Sequence, residues 1–88
     1  MTHIEAIKDL VYEVLLEHGI DAEIEGTTIE FDEAIDYCIR YFIYLNMGTI
    51  YSPESLTYVE DEVNTLAIAQ GLIYGEEPSL AFIVLTWG

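Results

Sequence analysis

The run Phe31-Asp32-Glu33-Ala34-Ile35-Asp36-Tyr37-Cys38-Ile39-Arg40-Tyr41-Phe42-Ile43-Tyr44-Leu45-Asn46-Met47-Gly48 decides the fold. At helical spacing, Ile35, Cys38, Ile39, Phe42 and Leu45 make one broad apolar face, and Tyr37, Tyr41 and Tyr44 make an aromatic stripe beside it. Glu33, Asp36 and Arg40 fill the polar strip that remains, with Asp36 and Arg40 in the favourable acid-before-base i,i+4 order. Asp32 suits an N-cap and Gly48 a C-terminal stop. The spacing therefore predicts a helix over about 32–47, apolar on two sides and needing cover on both. The expected class is α+β: three helices built around this central apolar helix, with a small antiparallel sheet. The sheet would consist of a hairpin at about 21–31 and a C-terminal strand at about 79–87, in one domain over residues 1–88.

Upstream, Thr2 and Glu5 have capping-box spacing, and Gly19 followed by Ile20 suits a Schellman ending, so a first helix is expected from His3 to His18. Its inward face would be Ile4, Ile7, Val11, Val14 and Leu15. Opposite them Glu5, Asp9, Glu13 and Glu17 stand at strict i,i+4 spacing, an acid ladder rising about 6 Å per rung. Its three like-charge contacts oppose helix formation by roughly 1 kcal/mol in total. His3 and His18 have no catalytic partner at suitable spacing, and His18 complements a helix C-terminus.

Asp21 to Asp32 carries two incompatible readings. As a hairpin turning at Gly26-Thr27 it sets Ile24 opposite Ile29, Ala22 opposite Phe31, and the like charges Glu23 and Glu30 opposite each other. The same stretch resembles an EF-hand calcium loop, with Asp21, Glu23, Glu25, Gly26 and Asp32 at positions one, three, five, six and twelve. It departs from that pattern in the long Glu side chains at three and five and in Thr28 at the apolar eighth position. The hairpin is the expected form, and no metal or cofactor is expected.

Downstream, Ser52-Pro53-Glu54 signals a helix start: N-cap, proline at the first helical position, acid in the first turn. Leu56, Val59, Val63, Leu66 and Ala67 would face the core, while Glu54, Glu60, Asp61 and Glu62 face or flank the solvent. Residues 54–60, Glu-Ser-Leu-Thr-Tyr-Val-Glu, resemble the Asp-Ser-Leu segment of acyl carrier proteins, which implies a phosphopantetheine-bearing Ser55. Glu54 in place of aspartate and a strand-like tail depart from that family. Leu80 to Trp87 reads as a strand buried on both faces and paired with the hairpin. Leu72 to Tyr74 is either the end of the preceding helix or a short strand turning into it.

The charge balance bounds the function. Seventeen of nineteen charged residues are acidic, Lys8 and Arg40 being the exceptions, for a formal net charge of −15 on 88 residues. Such a field repels nucleic acid and anionic membranes and invites a basic protein. With no phosphate-binding loop, no paired nucleophile and base, and almost no cations, an enzyme is not expected. A lone Cys38 and the absence of a signal-like N-terminus or membrane-length apolar run point to the cytoplasm, of a bacterial or phage-infected cell.

In size, charge and patterning the chain resembles small DNA-mimic proteins that phages use against restriction, CRISPR or repair enzymes. That resemblance implies an inhibitor of a basic nucleic-acid-binding protein. The candidate surface is Glu5, Asp9, Glu13, Glu17, Asp21, Glu23, Glu25, Glu30, Glu33, Asp36, Glu54, Glu60, Asp61 and Glu62. The alternative is an immunity protein or antitoxin masking a basic nuclease toxin through fewer acids and an aromatic anchor such as Tyr51 or Tyr58. Uncovered apolar residues in the tail also suggest a homodimer.

Overall fold

Residues 3–32, 38–73 and 79–87 are described by the structure, a computed structural model. The first helix, α1 (His3–Glu17), forms and buries the expected Ile7, Val11, Val14 and Leu15, while the expected Ile4 is half-buried and Leu10 is buried as well. Gly19 ends it with a φ of 68°, a left-handed conformation that glycine adopts without strain. Its N–H donates to Leu16 O (3.0 Å) and that of Ile20 to Leu15 O (2.9 Å), a Schellman closure that tucks Ile20 into the core.

The next two elements overturn the expected centre. Strand β1 (Ala22–Asp32) is one continuous strand where a hairpin was expected, and β2 (Cys38–Met47) is a strand where the central helix was expected. Burial along β2 alternates: Tyr41, Ile43, Leu45 and Met47 are buried, while Phe42, Tyr44 and Asn46 are half-buried. That is the period of two of a pleated strand. Its apolar side chains on both faces are what made the run look apolar all round at helical spacing. Gly26 marks a bulge rather than a turn, since Ile24 lies opposite Leu45 and Gly26 opposite Tyr44, with Glu25 the extra residue. Burying Ile43, Leu45 and Met47 contributes roughly 1.5–3 kcal/mol for each side chain.

Helix α2 (Pro53–Ala69) starts where the sequence signals it: the Ser55 N–H donates to Ser52 Oγ at 3.1 Å, with Pro53 at the first position. Gly71, at a φ of 70°, closes it; Leu72 and Ile73 follow without forming a strand, and Tyr74 lies outside the described residues. Strand β3 (Leu80–Trp87) forms as expected but joins β2 in parallel, at the edge of a mixed sheet of order β1-β2-β3 in which β1 and β2 are antiparallel. An edge position leaves Leu85 and Trp87 exposed, so the strand is not buried on both faces. The described residues thus contain two helices rather than three, layered on one face of a three-stranded sheet.

Candidate functional site

The acid ladder survives on α1 with all four rungs, Glu5, Asp9, Glu13 and Glu17, exposed. Each i,i+4 step turns the side chain about 40° around the helix, so the ladder winds across the helical layer instead of running straight. Asp9 and Glu13 reach its α2 side, where they line a groove of about 260 Å³ with Ala6, Leu10, Gln70 and Leu72. Asp61 and Glu62 are exposed on α2, and His18 Nε2 lies 2.6 Å from Glu62 Oε2, tying the end of α1 to α2. Both side chains of that pair are well exposed, which places its worth at about 1 kcal/mol or less. Lys8, half-buried, is the only lysine or arginine in either helix.

The remaining acids divide. Asp21 sits at the turn from α1 into β1, beside the end of the ladder. Glu23, Glu25 and Glu30 lie on the sheet face turned away from the helices, spread along a strand that rises about 3.3 Å per residue, so they are a row and not a cluster. Glu23 stands opposite Asn46 and Glu30 opposite Arg40; the expected Glu23–Glu30 confrontation therefore does not occur. Glu25 accepts from Asn46 Nδ2 at 2.7 Å. Glu54 is exposed in the first turn of α2, where a negative charge suits the helix dipole. Half-buried Glu60 accepts the backbone N–H of Phe82 at 2.9 Å, an architectural use of its carboxylate. Glu33 and Asp36 lie outside the described residues.

Three large side chains are exposed near these acids: Tyr58, an expected anchor, at 77%, and Leu16 at 75% and Tyr12 at 37%, neither of which is expected at the surface site. Tyr51 instead packs half-buried against the core. Leu16 was detectable: on a helical wheel it projects opposite Ile7, between Glu5 and Asp9.

The chemistry on offer is carboxylate charge with apolar anchors. Among the described residues no three His, Cys, Asp or Glu side chains converge on one point. Residues 22–32 of the stretch resembling a calcium loop lie extended in β1 and do not form the coiled loop of that pattern. Ser55, the serine of the acyl-carrier resemblance, has its hydroxyl accepting from Ser52 Oγ at 2.8 Å in the first turn of α2. No family model, curated protein or solved structure matches the chain.

Proposed function

We propose that this protein is an acidic inhibitor, not an enzyme, that occupies the nucleic-acid site of a basic protein. The observation that carries the proposal is the helical layer itself: four exposed carboxylates wind along α1 and are joined by Asp61 and Glu62 of α2, with Lys8 as the only lysine or arginine. From Glu5 to Glu17 the ladder covers about 18 Å, comparable to half a turn of duplex DNA, and offers negative charge at regular intervals. A site built to neutralise phosphates with Lys and Arg meets a similar charge pattern here. The helix tolerates roughly 1 kcal/mol of like-charge repulsion to keep that pattern.

The test is capture of proteins from lysate on immobilised protein, with and without competing duplex DNA. Basic nucleic-acid-binding proteins should be retained only when DNA is absent. Retention should weaken as salt rises and disappear when Glu5, Asp9, Glu13 and Glu17 are all replaced by Gln. Captured proteins that ignore both DNA and the fourfold replacement would refute the proposal. The exposure of Leu16 and Tyr58 favours a second reading, an immunity protein or antitoxin masking one cognate basic nuclease. Retention of a single partner from a mixture of basic proteins would select it.

A further inference from the structure

Beside the ladder, where α1 turns into β1, Tyr12, Leu15, Leu16, Ile20 and Ala22 line a hollow of about 430 Å³ with Asp21 at its mouth. Its floor is core: Leu15 and Ile20 are buried, Ile20 held there by the Gly19 closure. Its walls are Tyr12 and the exposed Leu16. The Tyr12 hydroxyl accepts the backbone N–H of Ile24 at 3.1 Å, which pins the ring and leaves this wall preformed. Asp21, exposed, is the charged residue of its lining, on a chain of formal net charge −15, so an apolar depression carries a carboxylate within a strongly negative field.

A single exposed leucine is ordinary; a preformed apolar hollow with a carboxylate in its lining has the anatomy of an interface anchor. We infer that the hollow receives one leucine- or phenylalanine-sized side chain that the basic partner carries between Lys or Arg residues. This rests on the partner being basic, as proposed above. Charge complementarity selects that occupant. A second copy of this chain is disfavoured, because it brings a charge of −15 against Asp21 and has only Lys8 and Arg40 as Lys or Arg. The hollow thus distinguishes a protein partner from a purely electrostatic encounter.

Two synthetic amphipathic peptides of equal positive charge test the inference, one pairing Lys with Leu and the other with Ser in place of every Leu. The Leu peptide should bind about tenfold more tightly, the worth of burying one large aliphatic side chain. It should shift the methyl resonances of Leu15, Leu16 and Ile20. Leu16→Ser, at an exposed position, should bring its affinity down to that of the Ser peptide and leave Ser-peptide binding unchanged. Equal affinity of the two peptides, or methyl shifts confined to other parts of the surface, overturns the anchor while the acidic reading stands. Binding of neither peptide removes both.

Discussion

Asn64 shows how much one side chain can hold. It is buried at 2% exposure on α2, its Nδ2 donating to Leu80 O at 2.9 Å and to Glu60 O at 3.0 Å while its Oδ1 accepts the Leu80 N–H at 3.0 Å. Both backbone groups of Leu80 at the sheet edge are thereby satisfied by one amide. Asn64→Leu keeps the branched shape but orphans the two groups, and each buried orphan costs about 1–3 kcal/mol. Denaturant titration should show a loss of about 3 kcal/mol, and a loss below about 1 kcal/mol would mean that water replaces the amide. Sequence spacing places Asn64 on the flank of α2, one turn after Glu60. Its partner was illegible, because a polar side chain reaching backbone sixteen residues away leaves no pattern of residue types.

Among the elements, both helices were legible because two independent signals coincided in each: an amphipathic period and a terminal motif, Gly19-Ile20 for α1 and Ser52-Pro53 for α2. Strand β2 was misread because a central strand with apolar side chains on both faces loses the alternation that announces a strand. The surviving hint was its content of Ile39, Tyr41, Phe42, Ile43 and Tyr44, β-branched or aromatic residues that favour strands. Glycine at a bulge and glycine at a turn look alike in sequence, hence the hairpin that β1 does not make. Of the site, the ladder was legible because it needs only α1, whereas placing the acids of β1 on the other face required the sheet. Two measurements follow at this scale. Ser52→Ala removes the acceptor for the Ser55 N–H and should cost about 1 kcal/mol in unfolding free energy. Gln in place of Asp9, Glu13 and Glu17 should raise stability by up to roughly 1 kcal/mol as three like-charge contacts vanish, and a fall in thermal midpoint would show that repulsion along the ladder is not what limits the helix.

Across the whole molecule the two edges of the sheet are treated differently. The β1 edge carries Glu23, Glu25 and Glu30 along its strand and has the Ile24 amide covered by Tyr12; charges on an edge discourage further pairing. The β3 edge is covered by Asn64 and Glu60 only as far as Phe82, and β3 contains no charge at all. Leu85 is the extra residue of a bulge there, exposed next to Thr86 and Trp87. A dimer joining two β3 edges would be closed, since the β1 edges cannot extend it, and weak, since little strand is open. We expect sedimentation to show association that strengthens with salt as the repulsion between two bodies of charge −15 is screened. A species monomeric at every salt concentration would exclude it. The same edge has a signature in time. Leu80 and Phe82 turn their amides outward from the sheet, where exchange with deuterium is ordinarily quick. Held by Asn64 and Glu60, these two should exchange only when α2 and β3 part, as slowly as protons in the core. Val84, next in the same alternation, should exchange within the fast class unless a second copy covers it, so the proton clock of one strand would record where its guarded half ends.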